Sequence, residues 1–271
     1  MSTVFTPKDR KNRMSPISPR SFLTLINILF MGIAMSIIIV NWNVRWARPS
    51  NDNGKRIASR IAPHNPDIVC LTEVDAEFFN GCGHTIVSGA DYGYSSPPWK
   101  RKVLLWSRLP WRSVDVVGDI DLPTGRFIAA ETETSIGIVR CVGVCIPWSG
   151  AHVTTGRKDR RLWEDHACYL EGLQRVIDRL VPPAIILGDF NQTLPRTRAP
   201  RRVHDLLCRA MADRVQTVTA GILMPKGKLT IDHVAVTPGL IATNVRTIDN
   251  LNLDGKPLSD HFGIVVKLNR S

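Results

Sequence analysis

Residues 185–192, Ile-Ile-Leu-Gly-Asp-Phe-Asn-Gln, constrain the fold more than any other stretch. An apolar run rich in β-branched side chains makes a strand covered on both faces, and both faces are covered only in a layered protein. The run reaches Gly188 and then presents a carboxylate and a carboxamide two positions apart, Asp189 and Asn191, ahead of a proline-punctuated loop. Residues two apart in a strand point to the same face, so this pair can converge on one ligand while Phe190 packs the other way. A strand cap followed by a turn uses the same residue types. The number of other strand ends carrying such groups decides between the two.

Along the rest of the chain, helices alternate with strands. Residues 36–44 are β-branched and contain Asn43, and residues 67–73 form a second apolar strand that ends at Glu73. Between them, residues 53–62 put Ile57 and Ile61 on one side of a short helix that stops near Pro63. Residues 92–102, with Pro97, Pro98 and Trp99, read as loop. Short strand candidates at 103–106, 112–118, 127–132 and 138–146, separated by glycine and proline, suggest an antiparallel meander. The long helix falls at 157–180, where Trp163, Ala167, Leu170, Leu173, Ile177 and Leu180 recur at three- and four-residue intervals. A shorter amphipathic helix covers 203–211, and three strands follow at 229–236, 243–248 and 262–268. This pattern predicts an α/β protein with two mostly antiparallel sheets face to face and helices outside.

Polar groups gather at the strand ends: Asn43, Glu73, Asp189, Asn191, Asp232 with His233, and Ser259-Asp260-His261. Carboxylates and carboxamides without a Cys/His cluster make a hard-oxygen site, suited to Mg²⁺ or Mn²⁺ and not to structural zinc. A histidine beside them can donate to a phosphate oxygen or move a proton. Together these are the parts that phosphate-ester hydrolysis needs. Charge points the same way. The formal net charge is +11, and a basic excess remains when the first twenty residues, with Lys8, Arg10, Lys11, Arg13 and Arg20, are set aside. A basic body favours a polyanionic partner. Six cysteines without CxxC spacing, several within apolar runs, read as free thiols in a reducing compartment.

The ordered set Asn-Trp-Asn-Val (41–44), Leu-Thr-Glu-Val (71–74), Gly-Asp-Phe-Asn (188–191), Ile-Asp-His-Val (231–234) and Ser-Asp-His (259–261) resembles the endonuclease/exonuclease/phosphatase family. That family includes apurinic endonucleases, pancreatic-type deoxyribonuclease, neutral sphingomyelinases and inositol polyphosphate 5-phosphatases. The resemblance spans residues 36–268 and implies a four-layered α/β sandwich. It also implies a divalent-metal-dependent phosphodiester hydrolase, with Mg²⁺ or Mn²⁺ held by Glu73, Asn43 and Asp260. Asp189 would align or deprotonate the attacking water. Asn191 would hold a phosphate oxygen, and His261 would donate to the scissile phosphate with Asp232 fixing its tautomer. Asn43 would also help to bind phosphate. Of His233, the expectation is an outward-facing neighbour of Asp232.

Two departures stand out. Arg45 occupies the position two after the first-motif asparagine, where many apurinic endonucleases carry aspartate, and Cys145 stands where the family places a histidine or tyrosine against the phosphate. A thiol is a poor phosphate donor. Either His152, a few residues on, covers that role, or turnover is weaker than in typical members; the plainer reading is that Cys145 packs in the core beside Cys141 and His152 is a loop surface residue.

Basic and aromatic residues near the motif ends, Trp99, Lys100, Arg101, Lys102, Trp148 and Arg196, Arg198, Arg201 and Arg202, suit a groove for nucleic acid backbone and unstacked bases. The expected activity is therefore an endonuclease or exonuclease on DNA or RNA. The alternatives are a phosphoesterase on phospholipid, inositol phosphate or a small phosphate ester, and a non-catalytic polyanion-binding domain of the same fold. Residues 1–21, polar, basic and proline-dotted, are expected to form a basic disordered tail. Residues 22–35 are a hydrophobic segment, either a membrane anchor or a dispensable extension, and the apolar run continues to residue 40, so membrane contact through 22–40 is one reading. Residues 36–271 form the domain itself. The chain is expected to be a cytoplasmic monomer, or one held at a membrane by its N-terminus.

Overall fold

A computed structural model describes residues 35–224 and 227–271. The expected tail and residues 22–34 of the hydrophobic segment lie outside the described residues. Two β-α-β crossovers carry the architecture. The first joins β1 (Ser36–Asn43) through α1 (Asp52–Ile61) to β2 (Ile68–Asp75); the second joins β7 (Gly137–Cys145) through α2 (Glu164–Asp178) to β8 (Ala184–Asp189). Each crossover lays its two strands side by side and parallel, with Asn43 opposite Thr72 in one and Cys145 opposite Asp189 in the other. Parallel neighbours cannot be joined by a tight turn, and a helix supplies the return path.

The remaining strands pair antiparallel around these two seams. They are β3 (His84–Val87), β4 (Lys100–Ser107), β5 (Trp111–Asp115), β6 (Phe127–Thr134), β9 (Gln216–Thr217), β12 (Asp232–Val236), β13 (Leu240–Ile248) and β14 (Gly263–Arg270), with a small hairpin of β10 (Leu223–Met224) and β11 (Lys228–Leu229). One six-stranded sheet has the order β13-β14-β1-β2-β4-β3, and the other β5-β6-β7-β8-β12-β9. Their inner faces meet in a core of Ile37, Ile39, Ile68, Val103, Leu105, Ile185, Leu187, Val234 and Ile264. On the outer face of the first sheet, Ile57 and Ile61 of α1 pack with Val40, Leu71 and Leu104. On the outer face of the second, Leu170, Leu173 and Ile177 of α2 and Val203 and Leu207 of α3 (Arg201–Met211) pack with Val142, Ile186 and Ala235. The protein is a four-layered α/β sandwich of two mostly antiparallel sheets.

Several boundaries differ from the sequence expectation. Strand β4 begins at Lys100, not 103, because its first residues pair with the end of β2. Strand β3 is half-exposed at the sheet edge and gives almost no alternation to read. Helix α2 starts at Glu164, seven residues later than its apolar spacing suggests. Trp163 stops it there with a left-handed φ of 70°. The strand expected at 229–236 begins only at Asp232, because Lys228–Leu229 turns away to pair with β10. Ile37, Ile39 and Val40 are wholly buried in β1, so residues 36–40 belong to the core and not to a membrane segment. Among the described residues no helix is long and apolar enough to cross a membrane.

Gly188 is required by the second parallel seam. Its φ is 143°, and a Cβ there would collide with the carbonyl oxygen of Val144. With no side chain at 188, β8 lies close enough to β7 to set Cys145 beside Asp189.

Candidate active site

Parallel strands present all their carboxyl ends on one side: β1, β7 and β8 finish at Asn43, Cys145 and Asp189, and Glu73 lies two residues before the end of β2. The antiparallel neighbour β12 starts where β8 ends, so Asp232 stands directly opposite Asp189. The loop before β14 brings in Ser259, Asp260 and His261. Residues from position 43 to position 261 thus meet at one rim of the sandwich.

Hydrogen bonds tie the rim across the two sheets. Asn43 Nδ2 donates to Asp189 Oδ2 at 3.0 Å, and Asn41 Nδ2 donates to the carbonyls of Gly188 and His233 at 3.0 and 3.1 Å. The Asn191 amide donates to Asp189 Oδ1 at 2.9 Å, and Asn191 Nδ2 to the Ile146 carbonyl at 2.9 Å. Asn191 adopts φ 52°, a left-handed conformation that asparagine tolerates well. Ser259 Oγ donates to the Asn43 carbonyl at 2.7 Å, anchoring the loop that carries His261.

His261 Nδ1 lies 2.6 Å from Asp232 Oδ2. A carboxylate only accepts, so the proton sits on Nδ1. Burial works against a charged ring, yet the charge and hydrogen bond of Asp232 outweigh it and hold His261 well above the ordinary histidine range. Asp189 is also pushed upwards from the ordinary carboxylate range, first by burial and then by the charges of Asp232 and Glu73. Oxygen and ring-nitrogen atoms of Asp189, Asp232 and His261 all come within 4.8 Å of one another. A cleft of about 200 Å³ opens beside Asp232, Asp260 and His261.

Glu73 stands close enough to affect the Asp189 carboxyl, but it does not point freely into the rim. Thr72 faces Val103 and Val74 faces Arg101 across the β2–β4 pair, which sets Glu73 against Lys102. Lys102 Nζ donates to Glu73 Oε1 at 2.7 Å. The φ of 49° at Glu73 breaks the strand alternation, so Leu71 and Val74 both pack into the outer core. Asp260 is more open: its side chain is 57% exposed and lies 3.8 Å from Arg45.

Cys145 is buried with Cys141 between the sheets, and burial pushes each thiol up to about 12. His152 is not a surface residue. Its ring is buried, stacks on Tyr94 at 4.3 Å, accepts from the Arg157 amide at 3.2 Å and stands 3.8 Å from Asp165. These contacts hold it in the wall of a larger cleft of about 470 Å³ rather than against Asp189 or His261. His233 does not face outward either. The second sheet is covered on both sides, so the ring is enclosed, with Nδ1 3.0 Å from Thr219 Oγ1 and Nε2 3.0 Å from the Gln192 carbonyl.

Residues beyond the sequence expectation complete the site. Gln192 is gripped on its carbonyl by His233 and on its side chain by His166, whose Nε2 lies 2.8 Å away and whose Nδ1 donates to the Pro147 carbonyl at 2.6 Å. Arg126 is 2% exposed and reaches the Cys145 carbonyl at 3.4 Å. Trp46 and Tyr92 lie 6.0 Å apart in a stack over Lys102. No local motif marks these residues; the fold alone brings them in.

His166 and His233 are both depressed to about 4, chiefly by burial, so they are neutral at pH 7. Unfolded, each takes up a proton near 6.5; folded, each resists until about 4. At these two sites protons therefore favour the unfolded chain in that window, and their contribution to stability falls as pH drops from about 6.5 towards 4. Each histidine is expected to contribute a loss on the order of 2 kcal/mol between pH 7 and pH 5, read by urea denaturation as the difference from a variant that lacks it. The lifted Asp189 carboxyl works in the opposite sense over the same range, so the wild type is read against His166→Gln, which should lose less stability than the wild type between pH 7 and pH 5; an identical pH dependence in the two proteins contradicts the assignment.

A sequence profile of the Endonuclease/Exonuclease/phosphatase family matches residues 40–261. No curated protein matches the chain. Among solved structures, an endonuclease/exonuclease/phosphatase from Beutenbergia cavernae DSM 12333 superposes with a TM-score of 0.60 at 18% identity, over 88% of this chain and 72% of that one. The 3'-5' exonuclease NExo from Neisseria meningitidis gives 0.61 at 20% identity, over 85% and 98%. A humanized D. rerio TDP2 gives 0.63 at 14% identity, over 86% and 99%. At these identities the structural likeness speaks to the fold. The profile match extends over the strand ends that build the rim, and on that ground this chain belongs to the endonuclease/exonuclease/phosphatase family.

Proposed function

We propose that the protein is a divalent-metal-dependent phosphodiester hydrolase acting on nucleic acid. The observation that carries this is the meeting of Asp189 with the Asp232–His261 pair at one rim, a lifted carboxyl facing a charged imidazole.

The donor set suits a hard cation. Glu73, Asn43 and Asp260 offer only oxygen ligands without deprotonation, the chemistry Mg²⁺ or Mn²⁺ prefers. Two observations agree: the Asp189 carboxyl is lifted by burial and then by its acidic neighbours, and Asp232 Oδ1 is buried with no hydrogen-bond partner among the described residues. Positive charge brought to this rim relieves both. His261 is not a ligand here, since its charged form offers no lone pair. A bound Mg²⁺ or Mn²⁺ supplies charge neutralisation at the phosphate and a more acidic water.

The chain's own residues account for the rest. Asp189 takes the proton of the attacking water, a role that a lifted carboxyl fills at neutral pH. The Asn43 and Asn191 contacts hold its two oxygens in place. Asn191 Nδ2 keeps one N–H for a phosphate oxygen after donating to Ile146. His261 presents its Nε2–H to the phosphate as negative charge grows there, and Asp232 keeps the ring charged and oriented.

Nucleic acid is favoured by a basic, aromatic shelf next to Glu73. Lys100 Nζ lies 4.5 Å from the Trp46 ring and 5.5 Å from Trp99, and the Arg48 guanidinium lies 4.9 Å from Trp99. Half-exposed rings among cations suit stacked bases and a phosphate backbone. NExo has been solved with a product DNA hairpin, and D. rerio TDP2 with a single strand DNA product. The test is a panel of single-stranded and duplex DNA, RNA, sphingomyelin and inositol phosphates, each with Mg²⁺, Mn²⁺ or chelator. Cleavage of a nucleic acid that disappears in chelator is the expected result. Turnover confined to a lipid or inositol phosphate would redirect the substrate, and no turnover of any member would remove the proposal.

A further inference from the structure

We infer that Lys102 is a built-in cation of the Glu73 site, which shares that carboxylate with a single divalent ion and lends its positive charge to the substrate phosphate. This rests on the phosphodiester-hydrolase reading above.

The two would-be metal carboxylates each carry a basic residue of this chain, but in different settings. Arg45 and Asp260 are 63% and 57% exposed and 3.8 Å apart, a loose pair that solvent screens. Lys102 and Glu73 are enclosed: their side chains are 9% and 25% exposed and 2.7 Å apart. The ammonium is boxed by ring faces, 4.8 Å from Trp46 and 5.2 Å from Tyr92, which stabilise a cation without neutralising it. Burying an ammonium at a spot where an apolar side chain would pack as well is a poor way to gain stability. It is a good way to hold charge.

What needs that charge is the wall of the site beside Cys145. The thiol is a weak donor, and the buried cations acting on it are Lys102 and Arg126. Arg126 is turned to the Cys145 carbonyl, whereas Lys102 sits on Glu73 itself and gives it one of three N–H donors. Its remaining donors are free for a phosphate oxygen. An ion held by Glu73 then lies next to this ammonium, so like charges compete for one carboxylate, and a second divalent ion at Glu73 is disfavoured.

Lys102→Met removes the charge and keeps the length. Calorimetric titration of the full chain with Mn²⁺ alone is expected to show one ion for the wild type, and about tenfold tighter binding for Lys102→Met. Inorganic phosphate, titrated into the Mn²⁺-loaded proteins, is expected to bind the variant about tenfold more weakly, and Lys102→Arg should restore that affinity. Circular dichroism checks the fold; if Lys102→Met does not fold, Lys102→Gln is read in its place and should shift both affinities the same way. Unchanged or weaker Mn²⁺ binding on loss of the charge, or two Mn²⁺ per wild-type chain, overturns the inference while leaving hydrolysis intact. A wild type that neither binds Mn²⁺ nor cleaves any phosphodiester overturns the parent reading along with it.

Discussion

Asp189→Asn is expected to lower kcat by roughly 10²- to 10⁴-fold while leaving the stability of the protein close to that of the wild type. The first half follows from the role of a base: an amide of the same shape cannot accept the proton of the attacking water. The second half follows from the environment. Asp189 is buried and lifted by burial and by the charges of Asp232 and Glu73, so its ionised form weakens the fold at neutral pH. A group whose folded pKa is raised above its unfolded value binds protons more readily when folded, and its ionised form costs stability at higher pH. A neutral asparagine removes that cost. One contact works against the asparagine: Asn43 Nδ2 donates to Asp189 Oδ2, and an amide nitrogen placed there would meet another donor. If the oxygen takes that position instead, the nitrogen faces the Asn191 amide, also a donor, so one hydrogen bond is lost either way and offsets part of the gain. A melting temperature within a few degrees of the wild type with kcat collapsed is the signature of a site residue. Activity and stability lost together would mark Asp189 as a structural residue.

His261→Ala is expected to cost roughly 10²- to 10³-fold in kcat, the usual size of one lost donor to developing charge. It should also destabilise the fold by about 3–5 kcal/mol, because it breaks a buried ion pair and leaves the other charge behind. Asp232 already has one oxygen without a partner, and the substitution strands the second. Asp232→Asn separates the two effects. With Asp232 present the imidazole stays charged well past neutral pH. Without it, the ring returns towards an ordinary value near 6.5 and loses its proton as pH rises through that value. The variant's kcat should therefore fall between pH 6 and pH 8, where the wild type is flat with respect to this group. Rate profiles for the two proteins over that range are the measurement, and parallel profiles would contradict the pairing.

Much of the layered core was legible in the amino-acid order because strands covered on both faces read as unbroken apolar runs. Residues 185–189 and 68–72 are of this kind, and each delivers its polar group at the end of the run. The two crossovers were half legible: helix followed strand, but whether flanking strands pair depends on contacts that local sequence does not contain. Edge elements failed for a different reason. His84–Val87 is half-exposed, so neither alternation nor a continuous run marks it. The residues before α2 carry arginines that pair with Asp159, Glu164 and Asp165 in a folded loop, and their spacing resembles a helix face. At the rim, the groups borne on strand ends were legible as a set, while their pairings were not. The Glu73–Lys102 contact depends on the register between β2 and β4, and that of His233 on the loop carrying Gln192. His152 looked like a loop residue and is buried because Tyr94, from a distant segment, stacks on it.

The central claim is that side chains from both sheets act as one centre. A double-mutant cycle on kcat, joining Asp189→Asn with His261→Ala on the best nucleic acid substrate at saturating Mg²⁺, addresses it most directly. Groups that work on one phosphate lose most of their joint effect with the first substitution, so the double variant is expected to retain about the activity of the weaker single variant. If the two losses multiply in full, Asp189 and His261 act independently and the single-centre account is wrong.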